Sequence, residues 1–93
     1  MKELKSGQSI QLTDGKTAKV VKELGRGGQG IVYLVELGGK KMALKWYLSP
    51  LGSQFYQNLK ENIAAGAPSN AFLWPKYLTV VDEGYYGYLM DLR

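Results

Sequence analysis

Three glycines at the spacing G-x-G-x-x-G, Gly25, Gly27 and Gly30, lie in the segment LGRGGQGIVY and could bind phosphate. A loop made of little but backbone lets its N–H groups approach phosphate oxygens, because no side chain blocks the way. Further along the chain, Ala43 and Lys45 in the segment MALK could complete such a site. Ala43 is small enough for a flat base to lie against it, and the Lys45 ammonium would attract the phosphates.

The glycine spacing alone is weak evidence, since the chain holds twelve glycines, and three interpretations compete. A dinucleotide-binding loop would open a helix and have an acidic residue about 20 residues on. Here the strand-like run IVYLV follows, and Lys45 stands at that distance. A purely structural hairpin needs only one or two glycines, and Gly28 raises the number to four. A phosphate-binding flap predicts a small apolar residue after the loop and a nearby cation, which Val32 and Lys45 supply.

The elements that must position these residues are predicted as strands. Short strand-like runs flank Asp14-Gly15, a pair typical of a hairpin turn. Three strands are then expected, at residues 19–24, 31–36 and 41–47. Side chains alternate along a strand, so Ala43 and Lys45 should share one face of the sheet and Leu44 the other. The pattern predicts a β-meander with the glycine loop between its first two strands.

After the turn-forming segment SPLG, the spacing of apolar residues changes from that of a strand to that of a helix. Ser53 is its predicted N-cap. Phe55, Leu59 and Ile63 recur at helical spacing and should face the sheet. The helix is expected to stop near Gly66 and Pro68.

Two more strands are expected after the helix, at residues 77–81 and 85–90, with a turn at Asp82-Glu83-Gly84. The predicted order is therefore β-β-β-α-β-β, with an extra N-terminal hairpin. The fold class is α+β, a five-stranded antiparallel β-sheet with one helix.

The composition excludes several classes of protein. The chain contains no cysteine and no histidine, so disulfides, thiolate metal sites and histidine catalysis are ruled out for it. The N-terminus has no apolar leader and no run is long enough to span a membrane, so a cytoplasmic location is expected. The net charge is +4, concentrated before residue 46. Such a distribution favours an anionic partner over a neutral one, although a solvated lysine-rich face would look the same.

The glycine loop followed by Val32, the A-x-K of Ala43 and Lys45, and the element order together resemble the N-terminal lobe of a protein kinase. The closest resemblance is to the eukaryotic-like serine/threonine kinases, and the GGQG segment is similar to bacterial members. The resemblance to the kinase N-terminal lobe covers about residues 18–93. The resemblance implies that residues 1–93 are the ATP-binding half of a kinase domain, incomplete and ending at the hinge, with residues 1–17 as an N-terminal extension or hairpin. The helix would then correspond to the kinase αC helix.

The resemblance also implies a role for each matching residue. The residues that would roof the adenine are Leu24, Val32 and Ala43. The residues that would cover the phosphates are Gly25, Arg26, Gly27, Gly28, Gln29 and Gly30. Lys45 would bind the α- and β-phosphates and form an ion pair with a helix glutamate. Met90 would be the gatekeeper, and the backbone of Asp91 and Arg93 would form hydrogen bonds with the adenine edge.

The helix glutamate is expected to be Glu61, the only acidic residue of the predicted helix. Lys45 and Glu61 are thus the predicted catalytic pair, with Asn58 as the fallback and a solvated position beside Lys60 as the alternative for Glu61. Two residues depart from the family pattern. Gln29 stands where many kinases carry an aromatic residue, and Ala65 where a larger apolar residue is usual.

The H-R-D and D-F-G motifs of kinases, which supply the base and the Mg²⁺ ligands, do not occur in these 93 residues. The chain alone is therefore expected to be inactive and to bind ATP no better than roughly millimolar. Mg²⁺ would act only in the full-length kinase. The expected partners are ATP, a protein substrate and the C-terminal lobe, with self-association through the uncovered face and no nucleic acid or membrane. The alternative is a non-catalytic, pseudokinase-like regulatory or interaction module, including a small β-rich binder of anionic ligands.

Overall fold

The computed structural model describes residues 3–49, 51–66 and 74–92. Six strands and one helix are present in that part of the chain, and the strands form a single antiparallel sheet. The elements are β1 Ser9–Gln11, β2 Thr17–Arg26, β3 Gly30–Leu37, β4 Lys40–Tyr47, α1 Gly52–Ala65, β5 Tyr77–Leu78 and β6 Gly87–Asp91. Their order in the sheet is β1-β2-β3-β4-β6-β5. The predicted α+β class and element order are confirmed, and the N-terminal hairpin supplies the sixth strand.

The sheet curls until its first and last strands meet. Leu12, just after β1, forms an antiparallel bridge with Thr79, just after β5. The Thr13 N–H donates to the Leu78 carbonyl at 2.9 Å, and the Val80 N–H donates to the Gln11 carbonyl at 2.9 Å. Right-handed strand twist accumulates over six strands and makes this closure possible. The curl divides the sheet into an inner face, which encloses the core, and an outer face.

The inner face follows from strand alternation. Cross-strand rows place Tyr33, Leu44 and Leu89 side by side, and all three are buried. The core of the inner face consists of Leu4, Ile10, Leu12, Ala18, Val20, Ile31, Tyr33, Val35, Met42, Leu44, Trp46, Leu48 and Leu89. Because both β3 and β4 are long enough to alternate fully, the residues between these positions must point to the outer face.

Helix α1 packs on the outer face over β5 and β6. Leu59 is its only buried residue, and it joins Tyr47, Leu78 and Tyr86 in a second, smaller cluster. The predicted N-cap is wrong: the cap position is Leu51, and no side chain caps the helix. The helix does stop at Gly66, whose N–H donates to two helix carbonyls.

The face of α1 that meets the sheet contains the predicted Leu59 and Ile63 and, in addition, Tyr56. Tyr56 and Ile63 are half-buried beside Leu59, whereas Phe55 remains 37% exposed. Phe55 still contacts the Tyr47 ring edge-on, with 5.3 Å between ring centroids. The Tyr56 hydroxyl donates to the Thr79 carbonyl at 2.9 Å, so Tyr56 also contacts the sheet.

The last hairpin matches its predicted turn but not its predicted strand lengths. Glu83 and Gly84 both have positive φ, 53° and 86°, as a two-residue type I′ turn requires. Asp82 and Tyr85 exchange both backbone hydrogen bonds around it. Strand β5 is only two residues long. After it, the Thr79 N–H still donates to the Gly87 carbonyl of β6, whereas the Val80 N–H donates to the Gln11 carbonyl of β1.

Candidate functional site

The outer face carries two cross-strand rows that contain the predicted ligand-binding residues. The first row is Val32, Lys45 and Tyr88, and the second is Leu34, Ala43 and Met90. Residues opposite each other on neighbouring strands share a face. Ala43 and Lys45 therefore lie on the same face, as predicted, while Leu44 is buried in the inner core.

A groove of about 470 Å³ runs beneath the glycine loop on this face. Its lining residues are Gly25, Arg26, Gly27, Gly28, Gln29, Gly30, Val32 and Lys45. This set, called the glycine groove below, contains all six predicted loop residues together with the predicted lysine. The structure thus brings together residues that stand up to 20 positions apart in the sequence.

The glycines of the loop differ in what the fold demands of them. A Cβ on Gly30 would lie 2.2 Å from the Trp46 carbonyl oxygen, so the packing of β3 on β4 requires glycine there. At Gly25, Gly27 and Gly28 an added Cβ would meet nothing within 4 Å, and none of the three has a positive φ. Neither sterics nor backbone conformation therefore accounts for these three glycines.

The loop is held at both ends and open at its tip. The Gly27 N–H donates to the Gly30 carbonyl at 2.9 Å, and the Leu48 N–H donates to the Gln29 carbonyl at 3.1 Å. Within the described residues, the backbone N–H groups of Gly28 and Gln29 donate to no protein acceptor. Unpartnered N–H groups at a loop tip, with a lysine in the same groove, can bind an anion.

The Lys45 side chain is half-buried between Val32 and Tyr88. Across the described ranges it forms no ion pair. Its positive charge is therefore available to a ligand in the groove. The apolar neighbours on both sides keep the lysine stem along the sheet and direct the ammonium outward.

Of the residues predicted to bind the base, Val32 lines the glycine groove, whereas Leu24, Ala43 and Met90 do not. Ala43 and Met90 are buried in adjacent positions of their row. Leu24 is 46% exposed because it occupies a β-bulge, where β2 shifts register between Glu23 and Gly25. Arg93 falls outside the described residues.

Asp91 has a side-chain role that the sequence did not indicate. Its carboxylate binds Lys76 at 2.6 Å and Lys40 at 3.3 Å. The hydrogen bond from Lys76, and then that from Lys40, lower the pKa of Asp91 below its usual value. This double ion pair anchors the end of β6, where the backbone was predicted to contact adenine.

The structure does not bring Lys45 and Glu61 together. Glu61 lies two positions after Leu59, which places it about 200° around the helix from the buried face, and it is exposed. No described residue forms an ion pair with Glu61. The fallback residue Asn58 instead accepts a hydrogen bond from Gln54 at 3.1 Å.

Three residues of the site region were missed from sequence. Tyr88 flanks Lys45, and the alternation of YGYLM could have revealed it. Burial, the nearby Tyr88 and Tyr86, and a hydrogen bond with Tyr88 raise the pKa of Tyr47 to about 12. Gly87 approaches β4 as closely as Gly30 does, since a Cβ there would lie 2.2 Å from the Lys45 carbonyl oxygen. No local sequence pattern predicts this close approach of Gly87 to β4, because it depends on how the strands pair.

The acidic residues offer no metal site in the part of the chain that the structure describes: no three of them come close enough to hold an ion. The Mg²⁺ implied by the kinase resemblance therefore has no fitting ligand set there. None of the described helices has the length and apolar character needed to cross a membrane.

The curled sheet with one packed helix and a glycine loop over a lysine defines a protein kinase-like fold. Among solved structures, the chain is similar to vaccinia related kinase 3, with a TM-score of 0.73 and 21% identity. The match covers 99% of this chain and 32% of that structure. The chain thus spans about a third of the length of the solved kinase. No protein-family model matches the sequence, and no curated protein matches it either.

Proposed function

We propose that this chain is the ATP-binding N-terminal lobe of a serine/threonine-type protein kinase. The parent protein would transfer a phosphoryl group from ATP to a protein substrate, and the 93 residues alone would be inactive. The observation that carries the proposal is the glycine groove. Three of its glycines are required neither by close packing nor by a positive φ. Within the described residues, two loop N–H groups have no protein acceptor, and the lysine that shares the groove forms no ion pair.

The proposed roles combine the arrangement of the groove with the resemblance to kinases. The N–H groups of Gly28 and Gln29 would donate to phosphate oxygens, and Lys45 would bind the α- and β-phosphates. Val32 and Ala43 would lie against the adenine, with Met90 as gatekeeper. Bound Mg²⁺ would neutralise phosphate charge, with ligands from the C-terminal lobe. The backbone of Asp91 and Arg93 would bind the adenine edge.

The proposed Lys45–Glu61 pair requires a change in α1. Glu61 faces away from the sheet in this structure, so the helix would have to turn for the two side chains to meet. Kinases need such a pair in place for activity. We therefore propose that the pair forms only in the assembled kinase, when the C-terminal lobe packs beneath the groove.

A titration with ATP·Mg²⁺, followed by NMR of the isotope-labelled chain, tests the proposal. The amide signals of residues 25–30 are expected to shift, with an affinity of roughly millimolar, or about −4 kcal/mol. Lys45→Met should weaken this binding severalfold. Lys41→Met is the matched control, because Lys41 lies on the same strand and the same face but is exposed and outside the groove. Equal effects of the two substitutions, or no shift at several millimolar ATP, would contradict the proposal.

A non-catalytic, pseudokinase-like module is the second candidate, and the separation of Lys45 and Glu61 favours it. The two candidates differ in the full-length protein. A kinase would transfer phosphate to protein in the presence of Mg²⁺ and lose that activity in the Lys45→Met variant. A module of the second kind would bind a partner and show no transfer.

Exposed apolar side chains after β5 support the proposal that the isolated chain self-associates. Val80 and Val81 are 44% and 45% exposed, and apolar surface of this kind tends to pair. We expect dimers in concentrated samples and a monomer at low concentration. Sedimentation that shows a clean monomer at every concentration would contradict this. A cytoplasmic location stays a prediction from the sequence.

A further inference from the structure

Arg26, inside the glycine loop, is held by two carboxylates. Its guanidinium binds Glu23 through Nε at 3.1 Å and Nη2 at 2.7 Å. The same group binds Glu3 through Nη2 at 2.9 Å and Nη1 at 3.3 Å. Each contact is a two-pronged, charge-assisted arrangement, which is more directional than a single ion pair. The hydrogen bond from Arg26 lowers the pKa of Glu23.

Glu3 belongs to a segment that is itself fixed to the sheet. Residues 3–8, called the N-terminal strap here, run along the open end of the inner face. Leu4 is buried in the core, and its N–H donates to the Tyr33 hydroxyl at 3.0 Å. The Gly7 N–H donates to the Val20 carbonyl at 2.7 Å. The strap is therefore a firm anchor for Glu3, and Glu3 is more than a mobile surface charge.

Arg26 lines the glycine groove, and its guanidinium is bound by the two carboxylates. Arg26 pairs with Ile31, whose side chain is fully buried on the inner face. Gly25, the residue before it, pairs with Val32 on the outer face. The register therefore groups Arg26 with the inner-face residues of β2, and Glu3 and Glu23 bind its guanidinium. Holding the Arg26 side chain fixes the backbone that separates Gly25 from Gly27.

We propose that Glu3 is a positioning residue for the glycine groove: through Arg26, the N-terminal strap holds the first half of the loop in its binding conformation. Glu23, on β2, binds the same guanidinium and helps to fix Arg26. The inference about ligand affinity rests on the proposed function, but the inference about loop rigidity does not.

Hydrogen exchange tests the rigidity directly. The Gly27 and Leu48 amides report on the loop, because both are hydrogen-bonded to it. In the Glu3→Gln variant, exchange of these two amides should accelerate by about threefold or more. The charge-assisted hydrogen bonds between Glu3 and Arg26 would no longer oppose local opening of the loop. Glu36→Gln is the matched control: Glu36 is exposed and forms no ion pair with a described residue. High salt should narrow the difference between Glu3→Gln and the unsubstituted chain.

Arg26→Lys provides a second variant that keeps the charge but loses the fork geometry. It should accelerate the same two amides while leaving exchange in β3 and β4 unchanged. Unchanged exchange in both variants would overturn the proposal. A uniform acceleration across all strands would overturn it as well, because it would show general destabilisation.

The ligand consequence is measured by the same ATP·Mg²⁺ titration. Glu3→Gln should weaken binding by about twofold to fivefold, as expected for lost preorganisation, while Glu36→Gln leaves it unchanged. If ATP fails to bind the unsubstituted chain, the proposed function fails, and the exchange experiment still decides the role of the strap. If ATP binds and Glu3→Gln changes neither affinity nor exchange, the strap proposal alone fails.

Discussion

Substituting Gly30 and Gly27 by alanine, one at a time, should separate the two roles of the glycine loop. Both residues belong to the same motif, but only Gly30 is confined by the fold. A Cβ on Gly30 would also lie 3.1 Å from the Trp46 carbonyl carbon and 3.2 Å from the Tyr47 Cα. All three atoms belong to the backbone of β4, so no side chain can move aside to make room.

The magnitudes follow from these contacts. Overpacking that forces backbone shifts typically costs about 1–3 kcal/mol, and the Gly30→Ala clash with backbone belongs at the upper end. Gly27 has open space and no positive φ. Gly27→Ala should therefore leave stability unchanged or raise it by about 0.4–1 kcal/mol, through the lower entropy of the unfolded chain. A domain of this size has only about 5–14 kcal/mol of stability to lose.

Urea denaturation measures the stabilities, and the ATP·Mg²⁺ titration measures the ligand effect. For Gly30→Ala the midpoint should fall by about 1 M or more, with the slope unchanged. Gly27→Ala should keep its midpoint but bind ATP less tightly, because the methyl group stands between backbone and phosphate. Equal stability of the two variants would refute the steric reasoning. Unchanged ATP affinity in Gly27→Ala would refute the assignment of that glycine to ligand binding.

Three further predictions concern the second cluster, the β6 end and the helix. The pKa of Tyr47 is raised to about 12, so its contribution to stability is complete below pH 10 and is lost as the pH rises toward 12. The Tyr47→Phe variant should lose less stability over that pH range than the unsubstituted chain. A loss equal to that of the unsubstituted chain would contradict this. The pKa of Asp91 is lowered by Lys76 and Lys40, so its contribution is present above about pH 4 and disappears as the pH falls further. Below that pH, the Asp91→Asn variant should lose less stability than the unsubstituted chain. An equal loss would show that other groups cause the loss of stability in acid. Glu61→Gln should alter neither urea stability nor ATP affinity of this chain, and a weakened affinity would show that the Lys45–Glu61 pair already forms here.

Much of the fold could be predicted from local patterns. The β-meander, the helix, the last hairpin and its turn follow from alternation, helical spacing and turn residues, all of which act between neighbours in sequence. The errors lie where a distant partner decides. Tyr56 joins the helix face that meets the sheet, and its hydroxyl donates to the Thr79 carbonyl. Strand β5 is shorter than predicted, and the Val80 N–H after it donates to the Gln11 carbonyl of β1.

The candidate site divides in the same way. The spacing of the glycines and the shared face of Ala43 and Lys45 could be predicted, because strand alternation is a local property of the backbone. The position of Glu61 could not, since the rotation of a helix depends on what it packs against. Asp91 was predicted for its backbone, and its ion pairs with Lys40 and Lys76 appear only once β6 has taken its place in the sheet.

The sequence by itself determined the class of the fold, the position of the glycine loop between two strands and the lysine that shares its face of the sheet. These rest on residue type and short-range spacing. Only the tertiary structure decided three further features. They are the requirement for glycine at Gly30, the exposed position of Glu61 on α1, and the ion pair between Glu3 and Arg26. Each of these is a contact between residues that are distant in sequence, and it exists only after the strands have paired and the sheet has curled.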